Sequence, residues 1–281
     1  MEAQLEQIRE QQKESWNKFS PGWRKWDDFM MDFLKPMGDE VIRSLKLKDT
    51  DTVLDVAAGT GEPGLTIAAI VKNGNVVITD LAEGMLEVAR DHATKKGITN
   101  YKTVACDVCE LPFKDETFDA VSCRFGFMFF PDMLMAAKEM ARVLKPGGRL
   151  ATAVWGTPDK NAWVTAIMST INKNMQLPAP LPGAPGMFRC GNPGFIADLF
   201  EQAGLKNISE KEITGTLNYG SNDNYWNLMN DVAAPVVGAL SKADEAMKSK
   251  IKKEVFDLVD QKYPGKNAAL DYGAVVVYGE K

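Results

Sequence analysis

The sequence predicts an α/β fold with a mostly parallel sheet. From Thr52 onward, short apolar runs alternate with segments of helical periodicity, which is typical of successive strand–helix units. The last of these helical segments precedes Lys145-Pro146-Gly147-Gly148, a strong stop signal. We therefore predict strands at 52–56, 75–80, 101–107, 118–124 and 149–155, and helices near 64–72, 84–96 and 132–144.

Two further regions flank this core. Residues 1–48 carry aromatic side chains at helical spacing, and Ser20-Pro21-Gly22 is expected to interrupt the helix. After a Pro/Gly-rich loop, we expect a strand near 207–214, helices over 222–262 and a last buried strand at 272–279. The predicted organisation is a helical lid at 1–48, a ligand-binding core at 49–156, and cap segments with the last strands at 157–281.

Composition argues against several functional classes. The 281 residues are 45% hydrophobic and 25% charged, and no apolar stretch approaches the roughly 20 residues that span a bilayer. The polar N-terminus lacks the apolar core of a signal peptide, so we expect a cytoplasmic protein without a membrane span. The net charge of −5 argues against nucleic acid as a partner, because nucleic-acid binding draws on a dense basic surface.

The cysteine pattern does not predict a metal site. Four cysteines are too few for a disulfide scaffold in a chain of this size, and we expect free thiols. Cys106 and Cys109 have the spacing of a zinc-ligand pair, but the sequence offers no second Cys/His pair.

A glycine-rich loop follows the first predicted strand. It reads Asp55-Val-Ala-Ala-Gly-Thr-Gly-Glu-Pro-Gly64, and its glycines allow a sharp turn and close approach to a ligand. Such a loop alone could also hold a nicotinamide or flavin dinucleotide. Asp55, however, would repel a pyrophosphate and could anchor an ammonium group. This favours a ligand with a cationic amino-acid part and no phosphate.

Two more carboxylates end the next two strands. Asp80 ends the second strand, where it could accept hydrogen bonds from ribose hydroxyls. Asp107 ends the third, with Val108 beside it, and could accept from an adenine amine. Because ligands of open α/β sheets lie across the carboxyl ends of the strands, the acids converge on one nucleoside site.

These motifs resemble the class I S-adenosylmethionine-dependent methyltransferases, particularly the branch with the ubiquinone and menaquinone biosynthesis C-methyltransferases. The resemblance covers about residues 50–155 and is carried by DVAAGTG, ITDLAEGMLEVAR, ACDVCELPFKDETFDAVSCRFGFMFF and EMARVLKPGGRL. It implies a Rossmann-like, seven-stranded, mostly parallel sheet with helices on both faces, an N-terminal helical lid and a helical cap insertion. It also implies S-adenosylmethionine as cofactor, S-adenosylhomocysteine as product and a small-molecule acceptor.

The resemblance further implies individual roles for cofactor residues. The loop glycines would flank the methionine part, Met85 would pack on the adenine, and backbone near Cys123 would meet the methionine amino group. The sequence departs from the family at Ala57, where glycine is usual and a methyl narrows the cleft. The cofactor-binding residues we predict are Asp55, Ala57, Gly59, Gly61, Asp80, Leu81, Met85, Asp107, Val108, Cys123, Arg124, Trp16 and Trp26.

The lid and two apolar segments supply candidates around the reacting methyl group. Trp16 or Trp26 could close over the sulfonium by a cation–π contact, or pack in the core. We predict acceptor contacts from residues after the fourth strand and in the Pro/Gly loop, with core packing as the alternative; these residues are Phe127, Phe129, Met187 and Phe188.

No residue is assigned a catalytic role. A sulfonium methyl is already activated, so in-line transfer requires mainly positioning and exclusion of water, and no metal. His92 is the only histidine, and we expect it to be structural.

The sequence therefore predicts in-line methyl transfer to a carbon, oxygen or nitrogen of a small apolar metabolite. The fourth strand lacks the Asn-Pro-Pro-aromatic stretch of enzymes that methylate exocyclic amines of bases or glutamine. The alternatives are a nicotinamide-dependent oxidoreductase on the same architecture and a non-catalytic binding protein, for which Ala57 is the support.

Overall fold

Seven strands form one sheet in the computed structural model, which describes residues 2–178, 183–262 and 269–281. The sheet order is β3-β2-β1-β4-β5-β7-β6, with β1 to β5 parallel and β7 antiparallel to both of its neighbours. This confirms the predicted α/β fold with a seven-stranded, mostly parallel sheet. The strands are β1 (Thr52–Val56), β2 (Asn75–Asp80), β3 (Tyr101–Ala105), β4 (Phe118–Arg124), β5 (Leu144–Trp155), β6 (Lys206–Asn218) and β7 (Ala269–Glu280).

Helices precede, connect and follow the strands. Two helices open the described chain, and three lie between β6 and β7 as an insertion. Residues 179–182 of the Pro/Gly-rich loop lie outside the described residues. The helices are α1 (Glu2–Lys25), α2 (Asp27–Leu45), α3 (Gly64–Ile70), α4 (Glu83–Lys96), α5 (Met133–Val143), α6 (Ala162–Met175), α7 (Phe195–Gln202), α8 (Asn222–Val232), α9 (Ala234–Leu240) and α10 (Glu245–Lys262). Within the described ranges, no helix combines the length and apolar character needed to cross a bilayer.

The central strands are apolar because helices cover both of their faces. Val53 and Leu54 of β1, and Val76 and Ile78 of β2, have no exposed surface. Because the five strands are parallel and in close register, their carboxyl ends lie along one edge of the sheet. Val56 pairs with Thr79, Asp80 with Ala105, and Arg124 with Ala153. This edge places the predicted ligand-binding residues side by side.

Two strand boundaries differ from the predictions. The third strand ends at Ala105, because Asp107 caps a short 3₁₀ turn by accepting a hydrogen bond from the Cys109 amide at 2.9 Å. The fifth begins at Leu144, which pairs with Phe118 before the register shifts and pairing resumes at Arg149. The Pro/Gly segment therefore ends α5 as predicted but lies within β5, as an irregularity of the strand.

The predicted break at Ser20-Pro21-Gly22 is wrong, because α1 continues to Lys25. Gly22 instead permits close helix packing: a Cβ at this position would lie 2.1 Å from the carbonyl oxygen of Asp231, at the end of α8. The Trp26 indole then donates to the Asp231 carboxylate at 2.7 Å. The chain breaks between α1 and α2 at Trp26, and α1 is attached to the insertion.

Candidate functional site

A cavity opens along the carboxyl ends of the parallel strands. It contains about 1380 Å³ of space free of protein atoms, including its open mouth. Its position is the one that open α/β sheets use for ligands. We call the part formed by the ends of β1, β2 and β3 the glycine-loop half, and the part formed by Phe125, Trp155 and Trp163 the aromatic half.

Asp80 lines the glycine-loop half and fixes its loop. One carboxylate oxygen accepts from the Gly59 amide at 2.9 Å, and the other accepts from the Ala82 amide at 2.9 Å. Burial raises the pKa of Asp80, while these backbone amides oppose the rise. A carboxylate has about four lone-pair sites, so these two bonds leave capacity for ligand hydroxyls.

The two loop glycines have different roles. Gly59 has φ +56° and lines the cavity, and a Cβ there would meet no atom within 4 Å. Gly61 has φ +104° and does not line the cavity, because it packs beneath the loop. A Cβ on Gly61 would lie 2.9 Å from Leu65 and 3.0 Å from Ala89. Gly61 thus packs against Leu65 and Ala89 in this structure, and its predicted ligand contact stays a prediction.

Ala57 lines the cavity in a conformation that usually requires glycine. Its φ is +51°, which costs an L-residue about 1–3 kcal/mol. The facing Gly126 makes room for the Ala57 methyl group, since a Cβ on Gly126 would lie 2.8 Å from that of Ala57. Gly126 thus leaves space for the Ala57 methyl group, and the loop keeps its positive φ.

Asp55 is buried beneath the loop and does not line the cavity. Its carboxylate accepts from the Gly64 amide at 2.8 Å and from the Ser122 hydroxyl at 2.6 Å. Burial raises the pKa of Asp55 to about 7. The side chain has no exposed surface, so the expected direct contact with an ammonium group is not available in this structure. Asp55 affects the cavity indirectly, because its hydrogen bond with the Gly64 amide fixes the first residue of α3.

An arginine that the sequence did not single out occupies the third strand end. Arg9 of α1 forms an ion pair with Asp107, the residue predicted to read an adenine edge. Arg9 and Gln12 line the cavity beside Asp107, so α1 reaches across this end of the site. Leu81, Met85 and Val108, which were predicted to contact the cofactor, also line it. No local sequence signal identifies Arg9, because its partner lies far away in the chain.

The two candidate lid tryptophans are placed differently. Trp16 lines the cavity and meets Phe129 edge to face, with ring centroids 5.1 Å apart. Trp26 does not line it, because its indole is directed to Asp231. In this structure Trp26 attaches α1 to the insertion.

Aromatic side chains cluster at the ends of β4 and β5. Phe125 stacks on Trp155 with ring centroids 4.3 Å apart, and Trp155 lies 5.0 Å from Trp163. Asn161 orders this cluster by accepting a hydrogen bond from the Trp163 indole at 3.1 Å. The sequence pattern did not identify these residues as part of the site, although Phe125 follows one predicted strand and Trp155 ends another.

Two of the four predicted acceptor residues line the cavity. These are Phe129 and Met187, whereas Phe127 and Phe188 do not line it. Phe127 has no exposed surface and packs near Phe130 and Phe200, with ring centroids 5.3 and 5.9 Å away. The 3₁₀ turn after β4 places Phe127 in the core and Phe129 at the cavity. The sequence, a run of four apolar residues, does not show which of them faces the cavity.

Arg124 lines the cavity between its two halves, whereas Cys123 is fully buried. Backbone near Cys123 and Arg124 is predicted to meet a ligand amine; in this structure the Cys123 carbonyl accepts from the Thr152 hydroxyl at 2.6 Å and its side chain packs in the core. Burial lowers the pKa of Arg124, and Glu62, Asp55 and Asp27 oppose that effect.

Other titratable groups near the cavity are structural in this geometry. His92 is buried, with Nδ1 3.0 Å from the Thr60 carbonyl and Nε2 3.3 Å from Asp27, and it does not line the cavity. Burial raises the pKa of the Cys106 and Cys109 thiols to about 12. Over the described part of the chain, no group of three His, Cys, Asp or Glu residues could hold a metal ion.

Residues 23–168 match the model of the ubiE/COQ5 methyltransferase family. A demethylmenaquinone methyltransferase of Bacillus subtilis is 32% identical over 197 residues, which are 64% of this chain and 82% of the relative. The ubiquinone/menaquinone biosynthesis C-methyltransferase of Cellvibrio japonicus is 41% identical over 108 residues, which are 38% of this chain and 43% of that protein. The family match covers the lid helix α2 and the strand ends that form the cavity.

Solved structures with little sequence identity share the fold. The Bacillus subtilis YcgJ protein superimposes with a TM-score of 0.56 at 20% identity, covering 87% of this chain and 97% of that one. The [4+2]-cyclase SpnF gives a TM-score of 0.52 at 20% identity, covering 87% and 80%. Since this architecture also carries a cyclase, the fold alone does not assign the chemistry. The family match does: the chain belongs to the ubiE/COQ5 methyltransferase family and is an S-adenosylmethionine-dependent methyltransferase.

Proposed function

We propose that this chain holds S-adenosylmethionine in the glycine-loop half and methylates an apolar ring compound held in the aromatic half. The observation that carries this proposal is the order of side chains along the sheet edge. Asp107, Asp80, Gly59, Arg124 and Trp155 follow the strand order β3-β2-β1-β4-β5. A nucleoside, an amino-acid part and an acceptor would thus lie in one line.

The residues of the glycine-loop half fit this cofactor. Gly59 presents backbone to open space, and Asp80 keeps acceptor capacity for two ribose hydroxyls. Met85 and Val108 offer apolar walls for a base. When bound, S-adenosylmethionine supplies a methyl group already activated by the sulfonium.

The protein's own contribution is positioning and exclusion of water. Trp16 and Phe129 cover the cavity from the lid and from the turn after β4, and Trp16 offers a π face to a sulfonium. Phe125 and Trp155 form a stacked apolar wall that restricts the orientation of a planar acceptor. Holding the reactants in line raises the rate by several orders of magnitude. The proposed methyl transfer therefore requires no residue that forms a covalent intermediate.

Ring acceptors of the quinol type are the first to test. The curated relatives carry names that refer to demethylmenaquinone and to ubiquinone and menaquinone biosynthesis. We expect the purified chain, incubated with S-adenosylmethionine and a panel of reduced quinones and phenols, to give a product heavier by one methyl group. Mass spectrometry detects this product, and NMR locates the methyl group.

The Asp80→Ala variant is the control for this assay and should give little product. Binding of S-adenosylmethionine without any methylated product across apolar ring compounds would contradict the proposed acceptor class. It would instead favour the non-catalytic binding protein.

A further inference from the structure

Arg124 is a partly buried cation on the cavity wall, and among the described residues no Asp or Glu forms an ion pair with it. Its guanidinium has two long contacts, 3.5 Å to the Leu34 carbonyl and 3.9 Å to the Met31 sulfur, and the charges of Glu62, Asp55 and Asp27 act on it through space. A guanidinium has five N–H donors, and a buried charge without a partner is unfavourable. These donors therefore require acceptor oxygens that a ligand would supply.

A second donor on the cavity wall also lacks a partner. Trp23 lines the cavity, and its buried indole N–H has no hydrogen-bond partner in the described structure. Trp163 provides the contrast, because its indole donates to Asn161 at 3.1 Å. Buried donors in native proteins are almost always satisfied, so the unsatisfied Trp23 indole and the weakly bonded Arg124 guanidinium together indicate a ligand rich in acceptors.

The position of Arg124 favours the acceptor over the cofactor. Arg124 ends β4, one strand from the glycine loop and one strand from Trp155. Its guanidinium contacts α2, which packs on β4, β5 and β7. Met30 and Leu34 of this helix line the cavity. The guanidinium therefore lies against α2, on the wall between the two halves of the cavity.

We propose that Arg124 binds a carboxylate on the methyl acceptor, which would make the substrate an apolar ring acid. This inference rests on the proposed function and narrows its acceptor class. A carboxylate suits the site because guanidinium groups bind it with two parallel hydrogen bonds. The stacked pair Phe125 and Trp155 would hold the ring beside it. A neutral quinol would leave the guanidinium without a partner.

The test compares two probes of equal shape. The protein is first saturated with S-adenosylhomocysteine and then titrated calorimetrically with 2-naphthoate and with 2-naphthamide, its neutral counterpart. We expect the carboxylate to bind roughly 10- to 100-fold more tightly, the range for hydrogen bonds to charged groups. Arg124→Gln should abolish this preference, and Arg124→Lys should restore part of it. Trp23→Phe should weaken binding of both probes by a smaller factor.

Arg90→Gln is the control, because Arg90 lies outside the cavity and pairs with Glu83 at 2.7 Å. It should keep the preference for the carboxylate. A merely structural Arg124 would lower the melting temperature when replaced, whereas removal of an unpaired buried charge should not.

Three results would overturn the inference: equal binding of the two probes, binding of neither, or retention of the preference in Arg124→Gln. A fourth contradicting result would be that Arg124→Gln loses affinity for S-adenosylhomocysteine but not for decarboxylated S-adenosylhomocysteine. This would assign the guanidinium to the cofactor. If the wild-type protein failed to bind S-adenosylhomocysteine at all, the proposed function itself would fail, and the titration separates that case from the others.

Discussion

Replacing Asp80 with alanine should weaken S-adenosylhomocysteine binding roughly 10- to 100-fold, the range for lost hydrogen bonds to a charged group. The expected loss has two sources. The carboxylate would no longer accept from ribose hydroxyls, and the Gly59 amide would lose its acceptor at 2.9 Å, which frees the loop. Calorimetric titration of the purified variant measures the change.

The control for this prediction is Asp91→Ala. Asp91 lies on α4 and pairs with Arg24 at 2.6 Å, but its carboxylate is half exposed and does not line the cavity. The control should bind S-adenosylhomocysteine like the wild type. Asp80→Asn should weaken S-adenosylhomocysteine binding as Asp80→Ala does. Its side-chain NH₂ group would face the backbone N–H of either Gly59 or Ala82, and two donors cannot form a hydrogen bond. Unchanged affinity in Asp80→Ala would place the cofactor elsewhere.

Asp55→Asn should stabilise the protein above pH 7 by at most about 4 kcal/mol, which corresponds to the rise of the Asp55 pKa from 3.8 to about 7. The cause is burial, which disfavours the charged carboxylate. Asparagine has the shape of the protonated acid and keeps the acceptor for the Gly64 amide. The measurement is the free energy of unfolding in denaturant, for both proteins, between pH 4 and pH 9.

The sign of the pH dependence follows from the raised pKa. Near pH 4 the wild-type Asp55 is protonated in the folded chain and about half protonated in the unfolded chain, so the two proteins should differ little. As the pH rises to about 7, the unfolded chain releases its proton while the folded chain retains it, and the stability of the wild type falls. Asp271→Asn, at an exposed carboxylate, is the reference. A difference between Asp55→Asn and wild type that does not grow from pH 4 to pH 7 would contradict this account.

The strand ends could be predicted from the sequence because their positions follow from a simple geometric rule. Asp80 and Asp107 end apolar runs, and parallel strands bring their carboxyl ends to one edge. The glycine loop was recognisable because residues with positive φ are encoded locally, at Gly59 and Gly61. The departure at Ala57 was visible, but its compensation by Gly126 requires the folded structure.

Features that depend on contacts distant in sequence were not predictable. Arg9 pairs with Asp107, and Trp26 donates to Asp231. Both partners lie far along the chain from the residue that they bind. Gly22 was interpreted as a helix breaker because helix packing against Asp231 leaves no local pattern. Phe127 and Phe129 are equally apolar, and only the backbone turn decides which one faces the cavity.

The central claim is that the cavity along the strand ends binds S-adenosylmethionine. The most direct test is calorimetric titration of the purified chain with S-adenosylmethionine, S-adenosylhomocysteine and NAD under identical conditions. We predict micromolar binding of the first two and none of NAD, because the chain belongs to the ubiE/COQ5 methyltransferase family. Binding of NAD, or of none of the three compounds, would contradict the claim.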